Sequence, residues 1–122
     1  MPAYQKLFVS FLLSVSVVLL SACGGAEGRK AEYMEQAETS FQEKDYDKAK
    51  LGYKNVIQIE PKDIDARLGL AKVLVATQQW REAAGAYQSV LDIDAENLQA
   101  AIELGKLFLI ARASEQASEQ LE

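Results

Sequence analysis

The sequence predicts an all-α fold in which helical hairpins repeat and stack, and three observations lead there. Helix formers dominate, prolines number only two, and no run alternates apolar and polar residues as a strand would. Apolar residues instead recur at spacings of one, three and four, as in Leu70, Ala71, Leu74 and Val75, which gathers them on one helical face. The pattern then returns every 34 residues. Leu70, Ala71, Leu74, Ala83, Tyr87 and Val90 correspond to Gln36, Ala37, Ser40, Ala49, Tyr53 and Val56 in the preceding stretch. The first five correspond to Leu104, Gly105, Phe108, Ala117 and Leu121 in the following one. A fixed period of this length marks an array of stacked helical hairpins.

The central unit, Ile64 to Asn97, shows why each hairpin forms. Asp65 to Gln78 carries one apolar stripe, and Trp80 to Ile93 carries a second through Ala83, Ala84, Tyr87, Val90 and Leu91. Thr77-Gln78-Gln79 is a short polar break, so the two helices fold back antiparallel. Ala71 and Ala83 fall where these helices cross, and a larger side chain there would push them apart. One hairpin cannot cover its own stripe, so its neighbours must.

These residues carry a resemblance to the tetratricopeptide repeat family over roughly Lys30 to the C-terminus. The resemblance implies an α-solenoid of about two and a half repeats: 30–63, 64–97 and a partial third over 98–122.

The segment before the repeats is a different kind of sequence. Lys6 precedes a run from Leu7 to Leu20 that is apolar apart from Ser10, Ser14 and Ser16, the right length for a signal-peptide core and short for a bilayer span. Leu20-Ser21-Ala22-Cys23 follows and resembles the lipobox of bacterial lipoproteins. That resemblance implies a lipoprotein signal peptide over 1–22, acylation of Cys23, and a membrane-anchored lipoprotein facing the periplasm. By resemblance to enteric lipoproteins, in which aspartate after the cysteine favours inner-membrane retention, Gly24 at that place implies the outer membrane. The alternative is ordinary cleavage with an incidental cysteine. Cys23 is the only cysteine, so no disulfide forms within the chain. Residues 23–29, with Gly24, Gly25 and Gly28, read as a flexible lipidated tether.

In repeat one, Asp45 is placed to cap the second helix and Pro61 to end it. Gln36 and Ser40 stand where the family has large apolar residues, which suits an N-terminal cap with one solvated flank. In repeat two Ala95 replaces the closing proline, and Asn97 is placed to cap the next helix. Repeat three opens with Ile102, Leu104, Leu107, Phe108, Leu109 and Ile110, then turns polar after Arg112. Either that polar segment is a solvating cap, or the chain is the front of a longer repeat protein. The apolar surface left by Phe108, Leu109 and Ile110 favours the second reading.

Composition narrows the function. A net charge of −5 without clustered Lys and Arg points away from nucleic acid. With no histidine and a single cysteine there is no imidazole base and no usual zinc set, and the isolated glycines make no phosphate loop. No enzyme activity and no cofactor is expected.

By resemblance to the family, the concave face is lined by first-helix positions. Here these are Met34, Glu38, Phe41 and Gln42, then Asp65, Leu68, Lys72, Val75 and Ala76, then Gln99, Ile102, Lys106, Leu109 and Ile110. Leu68, Lys72, Val75, Ile102, Lys106 and Leu109 make the candidate peptide-binding groove. Leu109 and Ile110 are equally accounted for by packing against a further helix. Leu68, Val75 and Ile102 are expected to be partly exposed, with Leu70, Leu74 and Tyr87 buried. Relatives that clamp a C-terminal carboxylate use Lys, Asn and Arg at set groove positions; here the corresponding places in repeat two hold Leu68, Gly69 and Lys72. The expected function is a lipid-anchored periplasmic scaffold for protein–protein interaction in cell-envelope assembly or export, exopolysaccharide or pilus and secretin systems among them. The alternatives are a regulatory subunit of a cell-wall or polysaccharide enzyme, or the N-terminal part of a longer multidomain protein.

Overall fold

The computed structural model describes residues 25–119, all of them in helices or the short turns between helices. The signal peptide expected over 1–22, and Cys23, lie outside the described residues. Five helices follow in order: α1 over 25–42, α2 Tyr46–Ile59, α3 Ile64–Ala76, α4 Trp80–Ile93 and α5 Leu98–Glu119. Each of α3, α4 and α5 packs on the helix before it in the chain. The result is two antiparallel hairpins, α1–α2 and α3–α4, with α5 stacked on the second.

The core runs along the stack in two clusters. Ala37, Ala49, Tyr53, Val56, Ala66 and Val73 join the first hairpin to α3. Leu68, Ala71, Leu74, Ala83, Tyr87, Val90, Ala100, Leu104 and Leu107 fill the space between α3, α4 and α5. Ala37, Ala49, Ala71 and Ala83, the small residues at the two hairpin crossings, are all fully buried. Leu74 and Tyr87 are buried as expected, but Leu70 is only partly buried. It lies against both clusters and closes the seam between them without being enclosed by either.

The two hairpin turns are copies of one another. In the first, Lys44 N–H donates to the Phe41 carbonyl at 3.1 Å and Asp45 N–H to the Ser40 carbonyl at 2.8 Å. In the second, Gln78 N–H donates to Val75 and Gln79 N–H to Leu74, at 3.0 and 2.8 Å. This pair of bonds is the Schellman closure, which places one residue in the left-handed region. Lys44 (φ 63°) and Gln78 (φ 59°) occupy it, where glycine is the usual choice.

N-caps restart the helices. Ala66 N–H donates to Asp63 Oδ1 at 2.9 Å, Ala100 N–H to Asn97 Oδ1 at 3.0 Å, and Lys48 N–H to Asp45 Oδ1 at 3.3 Å. The caps expected at Asp45 and Asn97 are therefore present. Gln79 makes no side-chain cap for α4; its side chain accepts from Lys50 Nζ and donates to Thr77 Oγ1 instead.

Two segments differ from the sequence reading. Residues 25–29 are already helical rather than a flexible tether. Ala26, Glu27, Arg29 and Lys30 favour helix, and Lys30 pairs with Glu27 one turn back at 3.8 Å and with Glu60 and Asp63 at the α2–α3 turn. At the other end, α5 runs straight through the place of the third hairpin turn. Ala111, Arg112 and Ala113 stand where the second unit has Thr77, Gln78 and Gln79, and nothing among them breaks a helix or caps a new one. Ala117 thus continues α5 and does not start a second helix.

Candidate functional site

A groove of about 360 Å³ opens across α1, α3 and the start of α5. Helical periodicity builds it. Met34, Glu38 and Phe41 are spaced four and three apart on α1, and Asp65, Leu68 and Lys72 three and four apart on α3, so each trio shares one face. Gln42 of α1 and Gln99 of α5 also line it. A second depression of about 360 Å³ lies on the first hairpin alone, and Leu51 is its only large apolar side chain. The first groove is the better site because it joins successive units and brings Met34, Phe41 and Leu68 together with charged side chains.

Leu68 lines that groove, but its expected exposure is corrected: the residue is only 8% exposed. Its side chain packs into the cluster of α3, α4 and α5, so it contributes one edge to the groove and the rest to the core. Lys72 is exposed in the groove as expected. Val75 is half-buried, and Ile102 (49%) and Leu109 (69%) are exposed. None of these three lines the groove, and neither does Lys106, which pairs with Glu103 at 2.7 Å. The six candidate residues therefore divide. Leu68 and Lys72 meet the first repeat, while the other four lie outside.

One lining residue, Tyr53, escaped the sequence reading. Tyr53 reaches the groove from α2, and its ring lies against Gly69 of α3 so closely that a Cβ on Gly69 would collide with it. A glycine inside a helix, costing about 1 kcal/mol relative to alanine, was the available signal. Burial raises the Tyr53 hydroxyl pKa above the ordinary tyrosine value, and the Glu38 carboxylate adds to the effect.

The charges in the groove are Glu38, Asp65 and Lys72. Among the described residues none of the three makes an ion pair. Asp65, in the first turn of α3, is also favoured by the helix dipole. Among the described residues no group of His, Cys, Asp and Glu side chains converges to hold a metal ion, and no helix is long and apolar enough to cross a membrane.

The comparisons agree with this architecture. The tetratricopeptide repeat family matches residues 40–88, which takes in the second helix of the first hairpin and most of the second hairpin. Over these residues the chain is similar to the tetratricopeptide repeat family. Among solved structures it is similar to the first tetratricopeptide domain of Spaghetti (RPAP3) bound to the HSP90 peptide SRMEEVD. That likeness has a TM-score of 0.64 and 20% identity, and covers 68% of this chain and 66% of that one, just under two thirds of its length. At this identity it speaks for the fold alone. No curated protein matches the chain in sequence.

Proposed function

We propose that this repeat protein is a lipid-anchored scaffold facing the periplasm, which holds a peptide segment of a partner protein in the groove between α1 and α3. The observation that carries the reading is the groove itself, with the apolar side chains of Met34, Phe41 and Leu68 beside exposed polar and charged ones. The anchor rests on Leu20-Ser21-Ala22-Cys23 directly after an apolar core. Two or more acyl chains on Cys23 would make release rare. An outer-membrane position and a part in envelope assembly or export, in exopolysaccharide or pilus and secretin systems, follow from the same resemblance.

Two measurements test it. A photo-crosslinking residue placed at Gln42, in the groove, should capture a discrete partner, while the same residue at Gln58, exposed on α2, should not. Equal capture at both positions would rule out the groove. For the anchor, Cys23→Ser should abolish palmitate labelling and release the protein from membranes; an unlabelled wild-type chain that stays on membranes would end the lipoprotein reading.

A second reading is favoured by an exposed apolar run in α5. Phe108 occupies the place that Leu74 holds in the second unit, yet it is 63% exposed where Leu74 is 5%. With Leu109 and Ile110 it offers a seat for another helical hairpin, as a longer repeat array would supply.

A further inference from the structure

We infer that the groove selects a peptide segment in which a large apolar side chain stands next to a lysine or arginine. This rests on the groove reading above and adds the chemistry of its occupant. The apolar part follows from Met34 and Phe41 of α1 and Leu68 of α3, which the groove brings together. Methionine adapts to side chains of different shape, so this trio calls for apolar bulk without demanding one residue.

The charge preference follows from the charged side chains beside that trio. Glu38 and Asp65 are exposed carboxylates on opposite walls, and neither has an ion-pair partner among the described residues. Among the described residues Lys72 is the only cation lining the groove, so these side chains give it a net charge of −1 within a chain of −5. A docking peptide strips water from both carboxylates, and that loss is offset only if the peptide brings a cation. An acidic peptide meets like charge on both walls, which costs affinity and slows encounter. Lys72 alone attracts one anionic group, but it shares the groove with Glu38 on α1 and with Asp65 two turns away on α3, which weakens its pull on a second.

Display of random heptapeptides against the full-length chain in detergent micelles tests this, with a Glu38→Gln/Asp65→Asn chain as counter-target. The wild-type chain should enrich peptides with Lys or Arg beside an apolar residue. Exchanging that basic residue for Glu should weaken binding about tenfold at low salt, the scale of two exposed ion pairs. The difference should shrink in the double variant and at high salt, and grow in Lys72→Glu, which changes only an exposed side chain. Enriched peptides that crosslink at Gln42 but lack basic residues, or that bind the double variant with the same preference, would overturn the charge inference and leave the groove standing. Peptides that crosslink at Gln58 and not at Gln42 would overturn the groove itself.

Discussion

Gly69 and Gly85 both sit inside helices, yet a methyl group added to each would meet opposite surroundings. At Gly85 nothing lies within 4 Å, so Gly85→Ala should stabilise the protein by up to about 1 kcal/mol through helix propensity. At Gly69 the same methyl collides with the Tyr53 ring, and overpacking of about 1–3 kcal/mol outweighs that gain. Urea melts of the two variants should therefore shift in opposite directions. Gln78→Gly should also stabilise, by up to about 1 kcal/mol, because it relieves a left-handed residue at a Schellman closure. Leu68→Glu would read as an exposed change from sequence position alone. Its burial instead predicts a loss of more than about 2 kcal/mol, since the carboxylate enters the core without a partner. A Leu68→Glu melt that overlays the wild type would show that the side chain turns outward in solution.

At the scale of elements, the hairpin crossings and the last helix make separate predictions. Ala83 is fully buried where α3 meets α4, so Ala83→Leu should cost about 1–3 kcal/mol in a thermal melt. The last part of α5 touches little: every residue from Phe108 to Glu119 is exposed. Its amides should exchange with solvent far faster than those of Leu104 and Leu107, which are buried against α4. Appending a polar helix that folds back over Phe108 and Leu109 should raise the melting temperature, because it removes apolar surface from water. An unchanged melting point would mean that this surface gains nothing from being covered. The α5 outcome was only partly legible in the sequence. The polar composition after Arg112 was plain, but the family pattern suggested a turn that the local residues do not encode.

For the whole molecule, alkaline pH is the informative condition. Burial raises the pKa of both Tyr53 and Tyr87, and the hydrogen bond to Glu60 raises that of Lys30. Unfolded, a tyrosine ionises near 10.0, so above that pH the unfolded chain has shed protons that the folded chain keeps. Stability must then fall as pH rises. The Lys30 contribution has the same sign: it is complete below the ordinary lysine value of 10.5 and lost as pH rises through the raised one. The urea midpoint should decline above pH 10.0, and Tyr53→Phe combined with Tyr87→Phe should reduce that decline. An identical alkaline limb in the double variant would remove the tyrosines as its cause. On the acid side, the Lys48 hydrogen bond lowers the Asp45 pKa, so that cap contributes above 3.8 and is lost as pH falls through the lowered value.

The sequence by itself determined the helices, the 34-residue repeat, the alanines at the crossings and the caps at Asp45 and Asn97. Each of these depends on residues three or four apart, or on one residue at a helix end, and such relations are written along the chain. Only the tertiary structure decided that Leu68 lies in the core, that Tyr53 reaches the groove across Gly69, and that Ile102 and Lys106 stay outside it. Those outcomes depend on how closely helices distant in sequence approach one another. That spacing is set by the packing of their facing side chains, which no single helix specifies.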